Sequence, residues 1–498
     1  MKREGRQHGM VRTYRNSPSP WSSKLSDKKF NKFDTPPAAG LFTKVPSKPT
    51  NHSKFTGKCR KPRCTGCHLL PSCKSKDKTK EYHKVKSHDR AAFEFAGFSA
   101  TAILDHLATH DDEVFWNVRH HLKRLNKPPV KTIKSPDGDI IDCVDIAHQP
   151  AFDHPLVKNH TIQMRPSFRP EGVVSGESDV VSAVKESRSV SQLWHLNGRC
   201  QEGTIPIRRT KRSDILRASS IERFGKKKKK SSPTNPRFRP PQTGQNYSNG
   251  HEYAAVYEEG GTYFGAKARI NVWRPEIQQD NEFSLAQIWI VSGTPGEDIE
   301  TVEVGWLVDP LLFGDNRTRL FTYWTADGYE ETGCFNLLCE GFVQTSSKIA
   351  LGATIYPLSG YGGSQYDITP LVWKDPGDGN WWLQIEDQVL GYWPFSLFSH
   401  LKDSATMIEW GGEIVDSRTG GQHTTTGMGS GHFPREGFGK ASYFRNIQIV
   451  DGFNKLVEPT QLATFTSQSS CYDIRSGHGG AWKTYFYYGG PGRSPGCP

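Results

Sequence analysis

Residues 250–498 break into short runs of alternating apolar and polar side chains, separated by Gly, Pro, Asn and Asp. A period of two sends successive side chains to opposite faces of a strand, so such runs bury one face in a sheet and do not fit helices. Strands are predicted over 263–272, 283–291, 301–308, 318–325, 342–351, 367–374, 380–384, 388–394, 406–415, 444–450 and 482–488. About eleven strands at this spacing specify an antiparallel sandwich or barrel. Ten of the 13 Trp lie in this half, which places the main core there. Gly-rich connectors at 359–364 and 419–424 are expected as loops around its mouth.

The formal charge of +12 hides a split. Residues 1–90 carry 23 Lys/Arg and 6 Asp/Glu, residues 91–249 carry 25 and 17, and residues 250–498 carry 16 and 29. A basic leader thus precedes an acidic half. Residues 1–110 are rich in Lys, Ser and Pro and are expected to be disordered, because they cannot bury enough apolar surface to offset chain entropy. Within them Cys59, Cys64, Cys67 and Cys73, with His68, have spacings that Zn2+ accepts; the alternative is a metal-free basic tail. Such a tail would bind nucleic acid through phosphate neutralisation, a reading kept here only as a second activity.

Between the leader and the acidic half, residues 111–230 read as a small α+β unit. A helix is predicted over 112–125, stopped by Pro128-Pro129, followed by a hairpin over 130–144 around Ser135-Pro136-Asp137-Gly138. A second strand pair is expected from 192–194 and 205–210, and a helix over 211–224. Lys226 to Lys230 open a solvated linker, 231–249, suited to proteolytic cleavage. Cys334 with Cys339 and Cys471 with Cys497 are local pairs suited to disulfides, and Cys143 with Cys200 form a third candidate. Sequons stand at Asn51, Asn159, Asn246 and Asn316. No run approaches the roughly 18–20 apolar residues of a spanning helix, so no membrane partner is expected. The first residues lack the apolar segment of a secretory signal and, taken literally, place the chain in the cytosol or nucleus, whereas the cysteines point to secretion.

Carboxylates inside apolar runs carry the chemical information. Glu303 shares a strand face with Gly305 and Leu307, opposite Val302, Val304, Trp306 and Val308. Glu409 and Glu413 fall on one face of the next candidate strand with Trp410 on the other, unless Gly411-Gly412 form a bulge. Pattern alone reads each as a solvent-facing carboxylate or as one held in a cleft. Gly-x-Ser-x-Gly, His-Glu-x-x-His and phosphate-binding Gly-rich motifs are absent. No two of His251, His400, His423, His432 and His478 have ligand spacing on one element, so neither metal nor cofactor is expected.

Taken together, the run His121 to Cys143, the run Cys200 to Thr210, and Ala286-Gln-Ile-Trp289, Val304-Gly-Trp306, Leu320-Phe-Thr-Tyr-Trp-Thr325, Gly333-Cys-Phe-Asn-Leu-Leu-Cys339, Gly391-Tyr-Trp-Pro394 and Trp410-Gly-Gly-Glu413 resemble plant proteins of the neprosin family. The resemblance implies an activation propeptide over 111–230 and a catalytic β-sandwich over 250–498. It implies a secreted glutamic endopeptidase that cleaves near proline in acid, its partners being proline-containing peptides and its own propeptide. The positions matching the family's two glutamates are Glu303 and Glu413, with Glu409 as the alternative to Glu413 and Gln287 as a supporting polar group. Tyr361 and Tyr366 are expected to line the substrate groove. A catalytically silent protein of the same fold that binds peptides or cell-wall polymers is the competing reading.

Overall fold

The computed structural model describes residues 115–173, 188–189, 191–227, 250–294 and 297–498. The basic leader with its cysteine cluster, the 231–249 linker, Asn51 and Asn246 lie outside them. No helix among the described residues is long and apolar enough to cross a membrane.

Residues 115–125 are helical. Strands β1 (Pro129–Lys134) and β2 (Ile140–Asp145) form a hairpin, turned where the Gly138 amide donates to the Ser135 carbonyl. Gly138 has φ 89°, a conformation that suits glycine. Strand β3 (Thr204–Arg208) pairs with β2, not with 192–194 as the sequence suggests. Residues Leu193–Leu196 instead form a 3-10 turn, and Ser191–Gln192 pairs with Ile355–Tyr356. The Gln192 side chain explains this, bonding both the amide and carbonyl of Ala350. The helix expected over 211–224 is confined to Arg212–Arg217, because Ala218 is already extended, with ψ 154°. Disulfides join Cys143 to Cys200, Cys334 to Cys339 and Cys471 to Cys497.

The strands that follow are β4 (His251–Tyr263), β5 (Gly265–Asn271), β6 (Ser284–Ser292), β7 (Glu300–Val308), β8 (Arg319–Thr325), β9 (Pro370–Lys374), β10 (Trp381–Ile385), β11 (Gln388–Trp393), β12 (Ala405–Val415), β13 (Ser442–Val450), β14 (Ala463–Thr466), β15 (Asp473–His478) and β16 (Thr484–Gly489). A six-stranded antiparallel sheet runs β8-β7-β6-β12-β4-β14. Facing it, an 11-stranded sheet contains the path β11-β10-β9-β5-β13-β16-β15. The architecture is an antiparallel β-sandwich preceded by a small α+β unit. Two departures from the sequence reading matter. The strand expected over 342–351 shrinks to Val343–Gln344, since the Gln344 amide curls the chain by donating to the Ser346 and Ile349 carbonyls. The 13-residue β4 was missed, its Glu258-Glu259-Gly260-Gly261 segment having the composition of a loop.

Between the sheets, Val302, Val304 and Trp306 of β7 and Ile408, Trp410 and Ile414 of β12 pack with Ile270, Val372, Trp381 and Phe444 of the facing sheet. The outer face of the six-stranded sheet holds a second apolar cluster of Tyr253, Tyr257, Leu285, Trp289, Leu307, Phe321 and Tyr323. It is covered by Val118, Leu125, Ile215 and Phe224 from the N-terminal unit. Each large side chain so buried contributes about 1.5–3 kcal/mol, so apolar contact is a substantial part of what holds the N-terminal unit.

Candidate active site

Antiparallel register builds this outer face as a lattice. One rung reads Tyr253, Glu413, Leu285 and Leu307 across β4, β12, β6 and β7. The next reads Ala255, Gly411, Gln287 and Gly305, and the third Tyr257, Glu409, Trp289 and Glu303, continued by Tyr323 on β8. Paired residues share a face, so Gln287 stands between two glycines with a carboxylate rung on either side. Gly305 is required there, as a β-carbon would lie 1.9 Å from the Ala286 carbonyl oxygen. No bulge forms at Gly411-Gly412, because pairing on both sides of β12 is continuous from Met407 to Ile414.

Glu303 and Glu413 are both 0% exposed, so neither is the solvent-facing strand carboxylate that pattern alone allowed. Glu303 Oε1 accepts from the Tyr329 hydroxyl at 2.8 Å and the Thr301 hydroxyl at 2.9 Å, and its Oε2 accepts from Gln287 Nε2 at 2.8 Å. Glu413 Oε1 accepts from the Tyr253 hydroxyl at 3.3 Å and lies 2.6 Å from His251 Nδ1. Burial and the adjacent carboxylates push the Tyr253 and Tyr329 hydroxyls far above the usual tyrosine range, which keeps both as donors.

A lysine joins the two glutamates. Lys227 of the N-terminal unit is 4% exposed; its Nζ donates to Glu303 Oε2 and lies 3.8 Å from Glu413 Oε2, which makes no hydrogen bond of its own. Its amide donates to the Tyr323 hydroxyl at 3.2 Å, and its ammonium sits 5.2 Å from the centre of that ring. The sequence reading placed Lys227 in a solvated linker. A run of lysines gives no sign of which one meets a buried partner.

Glu409, also on this face, is pushed up to about 8 by burial first and then by the charges of Glu413 and Glu303. A carboxyl with a raised folded pKa keeps a proton that the unfolded chain has lost, so stability falls as pH rises from 4.5 to about 8. Glu409→Gln is therefore expected to leave Tm near the parent value at pH 4 and to raise it at pH 8. Thermal unfolding across this range checks it; parallel curves for parent and variant would contradict a neutral Glu409.

Tyr361 and Tyr366 are not brought to this site. Tyr361 turns its hydroxyl to Glu436, at 2.9 Å, and its ring onto His432, while Tyr366 lies on a short strand of the facing sheet beside Asn271. The Gly-rich connector carries Tyr361, and the strand that follows it, Tyr366–Ile368, pairs with β5 of the facing sheet. The aromatic lining of the glutamate face is Tyr253, Tyr257, Trp289 and Tyr323. Tyr253 and His251 were missed with β4; Thr301 was legible as the residue two before Glu303 on the same face.

Compared with known proteins, residues 280–491 match the family described as Neprosin, and residues 132–257 match the family described as Neprosin activation peptide. Among solved structures, the chain is similar to scytalido-glutamic peptidase bound to a transition state analog inhibitor, at 13% identity and TM-score 0.27, covering 48% of this chain and 98% of that one. It is similar to SCP-B, a member of the Eqolisin family of peptidases in complex with a tripeptide, at 11% identity and TM-score 0.24 over 48% and 98% of the two chains. It is also similar to CG-16, a homodimeric agglutinin from chicken liver, at 7% identity and TM-score 0.18 over 32% and 93%.

Proposed function

The chain belongs to the neprosin family, its catalytic-type domain following an activation peptide, and from that premise we propose that it is a secreted, acid-active glutamic endopeptidase that cleaves near proline. The observation that carries this reading is the convergence of Glu303 and Glu413 on one face, bridged by a lysine of the activation peptide. Two carboxylates in one site divide the labour, since like charges held close favour one proton between them. Glu303 accepts from Thr301, Tyr329 and Gln287, an environment that suits the ionised partner. In the proposed reaction it takes a proton from water as the oxygen attacks the scissile carbonyl carbon. Protonated Glu413 then gives its proton to the leaving amide nitrogen as the C–N bond breaks. Proton transfer from Glu303 to Glu413 through solvent resets the site. Gln287, flanked by glycines, orients Glu303.

Supporting the proline preference, Tyr253, Tyr257, Trp289 and Tyr323 offer flat apolar faces on the same rungs, which suit a rigid pyrrolidine in an extended peptide. Supporting secretion, three disulfides fit an oxidising compartment, and the sequon asparagines Asn159 and Asn316 are exposed. Maturation is assigned to self-cleavage within 228–249, between Lys227 and β4.

The test compares a proline-containing peptide with its alanine counterpart, incubated in acid with the processed protein and followed by mass spectrometry. Cleavage beside proline is expected. Equal cutting of both peptides would reject the specificity, and a folded, processed protein that cuts neither would favour the silent binding protein.

A further inference from the structure

On the opposite face of β4 and β12 from the glutamates, three side chains distant in sequence meet: Glu252 of β4, Asp416 just past β12, and His423. His423 Nε2 is 3.1 Å from Glu252 Oε1 and 3.9 Å from Asp416 Oδ2, and one ligand atom from each residue lies within 4.8 Å of the other two. The histidine is oriented from behind, since its Nδ1 lies 2.8 Å from the Thr424 carbonyl oxygen, where only an N–H fits. Its Nε2 thus faces two carboxylates: as an imidazolium it donates to Glu252 Oε1, and as a neutral imidazole it presents a lone pair to a shared cation. Glu252 Oε2 and Asp416 Oδ2 make no hydrogen bond, although their side chains are only 7% and 0% exposed. Buried carboxylate oxygens without donors are costly unless a cation meets them. Arg418 lies across the outer side, 3.6 Å from Asp416 Oδ2 and 4.0 Å from Glu252 Oε1, but its side chain is 54% exposed and makes neither contact at hydrogen-bond distance. Cys471 and Cys497, also close to His423, are joined to each other and supply no thiolate.

We propose that Glu252, Asp416 and His423 form a divalent-cation site of the zinc class, which clamps the start of β4 to the end of β12. One imidazole and two carboxylates suit Zn2+, with the remaining position open to water. Zn2+ bonds of about 2.0–2.2 Å leave ligand atoms roughly 3–3.5 Å apart; His423 Nε2 and Glu252 Oε1 already stand at that separation, and Asp416, 3.9 Å from His423 Nε2, would draw closer to complete the set. The carbonyl behind His423 fixes the ring as metal-bound histidines are usually fixed. The clamp would bear on the catalytic face, because Glu252 lies between His251 and Tyr253, both partners of Glu413. Histidine spacing hid the site, since its ligands stand at 252, 416 and 423.

The experiment uses the full chain freed of metal by a chelator, titrated with ZnCl2 and separately with CoCl2. Bound zinc is counted by elemental analysis, and stability is read by thermal unfolding. One equivalent bound outside the cysteine-rich leader is expected, with Tm raised by roughly 5–10 °C at a hundredfold excess over Kd. Cobalt at this site should show d–d bands without thiolate charge transfer, which separates it from any ion on Cys59, Cys64, Cys67 and Cys73. His423→Gln should lose one equivalent and the Tm rise. Absence of a thiolate-free cobalt spectrum in the parent would overturn the proposal, whether or not the variant folds, as would a folded His423→Gln that binds as much metal as the parent.

Discussion

Glu303→Gln is expected to lower the rate of peptide cleavage by at least about 10^3-fold while leaving the sandwich folded, the range associated with loss of a positioned general base. The substitution keeps the volume of the side chain but replaces one acceptor oxygen with an NH2 and removes the charge that takes the proton from water. Thr301 and Tyr329 still have the amide oxygen to donate to, and Gln287, whose Oε1 is otherwise unpartnered, can turn its amide to accept from the new NH2, so the loss should fall on kcat more than on KM. Glu413→Gln should cause a loss of similar order. If the two act as one unit, the double variant should be scarcely slower than either single one, because removing half of a cooperating pair already removes its function. Initial rates on processed protein, with the folded fraction measured by near-UV circular dichroism, decide it. Because a dead enzyme cannot mature itself, processing must be supplied by the active parent. A folded, processed Glu303→Gln retaining a tenth of the parent rate would end the case for Glu303 as the base, and multiplicative losses in the double variant would end the case for a dyad.

The face on which these residues lie was legible because a strand's period leaves little freedom. Val302, Val304 and Trp306 had to point one way and Glu303 the other, and the pairing of β7 with β6 and β8 agrees. Burial was not legible, because it is conferred by another part of the chain. A carboxylate opposite a core face reads as solvated until the activation peptide is laid over it. For the same reason Lys227 stayed hidden among five consecutive lysines: one places its ammonium between two carboxylates, and composition treats all five alike. β4 failed on a different count. Its first turns of alternation, His251 to Tyr257, run into two glutamates and two glycines that suggest a loop, yet strands on both sides supply its backbone partners. With β4 went His251 and Tyr253, the two groups that meet Glu413. Tyr361 and Tyr366 lie away from the glutamates, because a Gly-rich connector does not tell which sheet it joins. Ion pairs between the N-terminal unit and the sandwich run in both senses: Lys227 meets Glu303, whereas Arg319 with Asp139 and Lys455 with Glu171 place the cation on the sandwich.

Lys227→Met is the variant expected to change maturation most. Lys227 is charged against Glu303 and lies near Glu413 in a site closed to water. Removing one partner of a buried ion pair costs about 3–5 kcal/mol, because the remaining charges lose their compensation without regaining solvent. In the variant two carboxylates face each other beneath the activation peptide. The cost falls on the closed form alone, since an opened cleft lets water reach both groups. In the parent the ion pair helps hold the peptide over the cleft, whereas in the variant the two buried carboxylates repel each other, a repulsion that opening relieves. The variant should therefore process itself faster, and at a pH at least about one unit higher, than the parent. Apolar packing of Val118, Leu125, Ile215 and Phe224 on the sheet still holds the rest of the peptide, so the protein should remain folded before cleavage. Following the conversion of precursor to the smaller form on gels, from pH 3 to pH 8, measures the midpoint directly. Lys227→Arg keeps the charge and should process closer to the parent midpoint than to that of the methionine variant. A methionine variant whose midpoint and rate match the parent's would show that the lysine merely occupies the cleft and that latency resides in the apolar cover alone.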